Sequence, residues 1–144
     1  MIKKFSKLKS ITESEIIDKY LKKLNFDKKE SFGFKNDSAY LNSFKNKKII
    51  VTNDSIIENV DFFKNDSSQS IAHKIITSNL SDISAMGAKP YCYTLNLCIP
   101  NYITIDWLKS FSNYLNVAKN FVPINEVKMI NAVVDKYLND KKIL

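Results

Sequence analysis

Three aspartates, Asp37, Asp54 and Asp82, stand where a carboxylate is costly unless something compensates its charge. Asp37–Ser43 and Lys48–Asp54 read as two strands, and Phe44-Lys45-Asn46-Lys47 between them fits a hairpin loop. With Ser43 opposite Lys48, antiparallel counting sets Asp37 opposite Asp54. Carboxylates facing each other across a strand pair repel, and a divalent cation between them is the simplest compensation. In a shifted register the two acids would instead splay into solvent.

Asp82 belongs to a long helix expected from Ser68 to Met86 and stopped by Gly87 and then Pro90. On a wheel of about 100° per residue, Ile71, Ala72, Ile75, Ile76, Leu80, Ile83 and Met86 fill one half. His73, Lys74, Thr77, Ser81 and Ser84 fill the other, and His73 is assigned no role. Asn79 and Asp82 fall inside the apolar half, three residues apart and so neighbours on the helix surface. A carboxylate on that arc calls for a partner or a cation. A local cap near the helix end is the alternative.

The elements that would position these acids are legible on either side. Thr12-Glu13-Ser14-Glu15 is a capping box. Ile16, Ile17, Tyr20, Leu21 and Leu24 follow at helical spacing, and Asn25 is a stop. Ser31–Asn36 reads as a loop. Tyr91–Ile99 is an uncharged, β-rich run that reads as a central strand, closed by a Pro100-Asn101 turn. A second helix starts at Thr104-Ile105-Asp106 and carries Trp107, Leu108, Phe111, Leu115 and Ala118, which read as core. Pro123 breaks the chain. A last helix is expected from about Glu126 to Leu138, with Val127, Ile130, Val133, Val134 and Tyr137 on one side.

The chain has 144 residues, 44% hydrophobic and 26% charged, with only 2 Gly and 3 Pro. These proportions describe one globular domain and exclude disordered, collagen-like and turn-dense all-β chains. No apolar run is long enough to span a membrane. The lysine-bearing start, Met1 to Ser10, has no apolar stretch behind it, so no secretory signal is expected. Net charge is +7, yet all 22 basic residues are lysine and are scattered in pairs such as Lys47-Lys48. Without arginine forks or a basic stripe, a nucleic-acid partner is not expected. Cys92 and Cys98 lack metal-ligand spacing and read as core thiols of a protein in the reducing cytoplasm.

Two segments go beyond pattern: Val51-Thr-Asn-Asp-Ser-Ile-Ile-Glu-Asn-Val-Asp-Phe62 and Asn79-Leu-Ser-Asp-Ile-Ser-Ala-Met-Gly-Ala-Lys-Pro90. Both resemble the thiamine-monophosphate kinases, a branch of the superfamily that includes aminoimidazole ribonucleotide synthetase and selenophosphate synthetase. Asn36-Asp37-Ser38-Ala39 is similar to that family's Gly-Asp-Asp-Ala/Cys-Ala loop. Leu95–Pro100 and Trp107–Ser112 also fit, so the resemblance covers about residues 12 to 118.

The resemblance implies an α+β fold: a mostly antiparallel four-stranded sheet packed by helices, with the sheets of two copies pairing in a homodimer. Residues 1–122 would be the ATP- and metal-binding domain and 123–144 a divergent C-terminal helix, with the family's second domain absent. Metal ligation falls on Asp37, Thr52, Asn53, Asp54 and Asp82, and Asp61 takes the substrate-binding position. No side chain is assigned as a general acid, base or nucleophile. The implied reaction is magnesium-dependent transfer of the ATP γ-phosphate to thiamine monophosphate, giving thiamine diphosphate. Phosphoryl transfer needs mainly positioning and cations, which suits such a site.

The chain also departs from the family. Lys35 stands for the loop glycine, Asn36 for the first aspartate and Asp61 for a histidine. Pro123 and the expected helix stand where the family returns to a strand and a Gly-Gly-Asp-Thr motif. Two readings follow: a kinase-like enzyme, or a catalytically incomplete half that binds metal or nucleotide and dimerises.

Overall fold

Thr12 begins the first element as its capping residue. Its hydroxyl accepts the Glu15 N–H at 3.3 Å, and its own N–H donates to Glu15 Oε2 at 2.9 Å. The computed structural model describes residues 11–25, 29–35, 38–41, 44–118 and 128–137. Helix α1 (Glu13–Ile16) widens into a π-helical turn over Ile17–Leu21 and tightens into a 3-10 turn over Lys22–Leu24. These changes of pitch have a packing result. A π turn brings residues five apart towards one face, and a 3-10 turn does the same for residues three apart. Ile16, Leu21 and Leu24 accordingly all point inward, none more than 1% exposed.

Helix α2 (Ser68–Ala85) is capped by Ser67, whose hydroxyl accepts the Ser70 N–H at 3.1 Å. It ends as Gly87 turns left-handed, with φ of 62°. Ala88 N–H then returns to Ile83 O at 3.1 Å and Gly87 N–H to Ser84 O at 2.9 Å, a Schellman closure. Strand β1 (Cys92–Pro100) and a turn at 101–102 lead to α3 (Ile105–Ala118), capped by Thr104. Strand β2 (Lys128–Tyr137) lies parallel to β1. Its register skips Ile130, since Tyr93 faces Met129 and Thr94 faces Asn131. The unit β1–α3–β2 is thus a helical crossover between parallel strands.

The core forms where α1, α3 and β1 meet the first turns of α2: Ile16, Leu21, Ile71, Leu95, Ile99, Leu108 and Phe111 are all buried. Trp107 stacks on Phe111 at 5.0 Å between ring centroids. The buried Glu30 carboxylate accepts the Tyr91 hydroxyl at 2.7 Å, which ties the loop after α1 to the start of β1. Among the described residues, no helix is long and apolar enough to cross a membrane.

Three expectations need correction. Residues 128–137 form a strand, not the helix expected over Glu126–Leu138. Val133, Val134 and Tyr137 favour a pleated surface, and the edge of β1 supplies the hydrogen-bonding partner that periodicity cannot reveal. A strand therefore follows α3, and the sequence there carries no Gly-Gly-Asp-Thr motif. Second, among the described residues the sheet holds two parallel strands rather than four mostly antiparallel ones. The Lys48–Asp54 run pairs with no strand there, although the turn expected before it exists, with Lys47 N–H on Phe44 O at 3.3 Å. Third, Cys98 is exposed and Cys92 only half-buried, both as free thiols. The mixed helix-and-strand class stands.

Candidate metal centre

Residues 50–58 alternate between half-buried and exposed with the two-residue period of an extended chain. Thr52, Asp54 and Ile56 take the inner positions, while Val51, Asn53, Ser55 and Ile57 face outward. The inner face lies along the second half of α2. Thr52 Oγ1 donates to Asp82 Oδ2 at 3.0 Å, and Ser78 Oγ donates to Asp54 Oδ2 at 2.5 Å. Spacing explains why two bonds form at once. Two residues of extended chain advance about 6.6 Å, and the four residues from Ser78 to Asp82 advance about 6 Å along a helix. The two rulers match, so one hydroxyl from each element meets one carboxylate of the other.

Between these bonds, the Asn79 side chain holds the Asp54 main chain. Its Oδ1 accepts the Asp54 N–H at 3.0 Å, and its Nδ2 donates to the Asp54 carbonyl at 3.4 Å. Nδ2 also donates to Ile75 O on its own helix at 2.9 Å. Both carboxylates are engaged through Oδ2. Among the described residues, Oδ1 of each makes no hydrogen bond.

Thr52, Asp54 and Asp82 are thus brought to one seam. Asn53 sits on the outward face of the run, exposed. Asp37 lies outside the described residues, as does the register that would set it opposite Asp54. Asp61 is turned into its own loop: Oδ2 accepts the Ile57 N–H at 2.8 Å, and its carbonyl accepts the Lys74 ammonium. That loop leans on Tyr102, whose hydroxyl donates to Glu58 and whose ring lies 4.4 Å beneath the Lys64 ammonium. Burial, then the Glu58 hydrogen bond and charge, push the Tyr102 hydroxyl up to about 12, so it stays a neutral donor at physiological pH.

Sequence reasoning placed Asn79 beside Asp82 but gave it no role, and it did not single out Ser78. An amide inside an apolar arc was the usable signal for Asn79. Nothing in the periodicity marks Ser78, because its partner comes from another segment.

The donors present are hard oxygens: two carboxylates and a hydroxyl. Among the described residues, no group of three or more His, Cys, Asp or Glu side chains is set to hold a metal. Magnesium usually takes one or two carboxylates, several waters and substrate phosphates rather than a closed protein cage. The pair Asp54 and Asp82, backed by Thr52, fits that habit.

Residues 35–125 match the family described as AIR synthase related protein, N-terminal domain, and the chain belongs to it. The match takes in the run over α2, β1 and α3. The chain is also similar to thiamine-monophosphate kinases. It is 40% identical to that of Buchnera aphidicola from Acyrthosiphon pisum over 103 residues, covering 71% of this chain and 32% of the relative. It is 31% identical to that of Haemophilus influenzae over 104 residues, covering 72% of this chain and 31% of the relative. The chain therefore spans about a third of the length of the curated relatives it matches.

Proposed function

We propose that this chain is the metal- and nucleotide-binding part of a thiamine-phosphate kinase. In this reading it serves magnesium-dependent transfer of the ATP γ-phosphate to thiamine monophosphate. The observation that carries the reading is the paired Thr52–Asp82 and Ser78–Asp54 bonding, which sets two carboxylates on one seam. The names of its relatives supply the substrates. Asp54, Asp82 and Thr52 would hold the ion, with Asp37 and Asn53 as further ligands and Asp61 on the substrate side. A bound magnesium ion supplies neutralisation of phosphate charge. The residues of this chain supply orientation: hydroxyls fix one oxygen of each carboxylate, leaving the other for the cation.

The test is an assay of the purified chain with ATP, magnesium and thiamine monophosphate, beside Asp54→Ala. Thiamine diphosphate formed by the unaltered chain and lost in the variant is the supporting result. Calorimetric titration with magnesium should give heats that Asp37→Asn and Asp82→Asn reduce. Heats unchanged by either substitution would remove the centre.

A second reading is an incomplete half that binds metal or nucleotide without turnover. It is favoured by the small donor set, since only Asp54 and Asp82 of the acids converge on the seam among the described residues. Binding of ATP and magnesium with no product would decide for it. In either reading the chain acts as a homodimer in a reducing cytoplasm, without nucleic acid or membrane. The outward face of the run supports self-association, with Val51 83% and Ile57 60% exposed. A monomer by light scattering would contradict it.

A further inference from the structure

Asp54 sits half-buried in a run that pairs with no strand among the described residues. Main-chain polar groups in such a place need partners, and at Asp54 both come from one side chain. Asn79 accepts the Asp54 N–H through Oδ1 and donates to the Asp54 carbonyl through Nδ2. This is the two-bond exchange that a residue on a neighbouring antiparallel strand makes. We propose that Asn79 is a positioning residue: its amide stands in for a strand partner and fixes where the Asp54 carboxylate lies over α2.

The amide is not free to swing. Its second N–H is held by Ile75 O at 2.9 Å, one turn back on the same helix. Its orientation is determined as well, because reversing it would set Oδ1 against two carbonyls and Nδ2 against an N–H. No other residue type reproduces the arrangement from this position. Aspartate loses the donor, leucine loses both groups, and glutamine carries them one methylene further out. With Asp54 pinned at its main chain, Ser78 from the preceding position reaches Oδ2 at 2.5 Å. Thr52, two residues back, reaches Asp82. Asn79 thus sets the register on which both hydroxyl–carboxylate bonds depend.

The consequence for cation affinity rests on the metal reading proposed above, but the clamp itself does not. The experiment separates them. In the full 15N-labelled chain, amide hydrogen exchange is followed at Asp54 and along α2, and manganese affinity is measured by calorimetry. In Asn79→Ala, exchange at Asp54 should speed up about tenfold, the loss of about one net hydrogen bond. The amides of Ile75 and Ile76 should keep their protection. Manganese affinity should fall about tenfold, as it does on losing an outer-shell partner.

Exchange at Asp54 unchanged by Asn79→Ala would overturn the clamp. Should α2 itself open in that variant, Asn79→Asp decides, since it keeps the acceptor and loses only the donor. Faster exchange at Asp54 in Asn79→Asp supports the assignment, since a carboxylate oxygen then faces the Asp54 and Ile75 carbonyls, and unchanged exchange refutes it. Manganese failing to bind the unaltered chain would overturn the metal reading while leaving the exchange result to judge Asn79.

Discussion

The two ends of helix α2 are held by different physics. At its start, Ile71 and Ala72 press into a core with Ile16, Leu108 and Phe111, where burial is almost complete. Towards its end, Met86 is 65% exposed and the contacts to the 52–54 run are hydrogen bonds from Ser78, Asn79 and Thr52. Burial of apolar area is strong and non-directional. Hydrogen bonds are weak in net terms but demand geometry. The first end therefore governs whether the chain folds, and the second governs where two carboxylates point. A seam of this kind can be altered at little cost to the core.

The sharpest way to break that division is to damage each end and read both outcomes. Leu108 is 0% exposed. Leu108→Ala should lower unfolding free energy by about 2–5 kcal/mol in urea titration, from lost transfer energy and the cavity left behind. Manganese affinity per folded molecule should be unchanged. Asp54→Asn reverses the pattern. A half-buried carboxylate replaced by its isosteric amide should cost little stability and, in the metal reading proposed above, weaken manganese binding by about a hundredfold, as fits loss of a charged ligand. Comparable loss of affinity in both variants would erase the distinction.

A smaller effect tests how α2 ends beside the seam. Gly87 carries φ of +62°, and a Cβ added there would meet nothing within 4 Å. Gly87→Ala therefore adds only backbone strain, about 1 kcal/mol. The midpoint of unfolding should shift slightly, and the Ser78–Asp54 and Thr52–Asp82 bonds should survive, since both lie upstream of the closure. A change in the Asp54 amide environment larger than the change at Gly87 would show that the closure positions the seam as well.

The same contrast explains what could be read before any coordinates. Elements marked by local chemistry were legible: the Thr12 capping box, the start of α2 at Ser68, the Gly87 stop and the β1 run. The apolar arc was legible only in part: Ile71 and Ala72 are buried and Asn79 half-buried, but Asp82, expected on that arc, is exposed, because the second half of α2 meets the 52–54 run and not the core. Features set by partners distant in sequence were not legible. Val133 and Val134 fit a helix wheel as readily as a strand, and only the edge of β1 decides between them. The irregular pitch after Ile16 follows from the need to bury Leu21 and Leu24 together. The Ser78–Asp54 bond joins segments that no spacing rule connects.

The smallest effect falls at the N-terminal cap, far from the seam. The Thr12 main-chain N–H donates to the Glu15 carboxylate, and Lys19 adds a hydrogen bond and its charge at 3.1 Å. In that order these hold the Glu15 carboxyl below its ordinary value. A carboxyl that binds its proton less readily when folded stabilises the fold above its unfolded pKa. That contribution is lost as pH falls through the lowered folded value. Helix α1 should therefore loosen at acid pH, seen as faster exchange at the Ile16 amide, which donates to Thr12 O at 3.1 Å. Glu15→Gln should flatten this dependence while leaving manganese affinity alone. Thr12→Ala should cost about 0.5 kcal/mol near neutral pH and less in acid, because the Thr12 hydroxyl also donates to the Glu15 carboxylate and helps hold it below its ordinary value. If Glu15→Gln instead moved the pH dependence of manganese binding, the cap and the seam would be one coupled unit, and the two-ended picture of α2 would have to be given up.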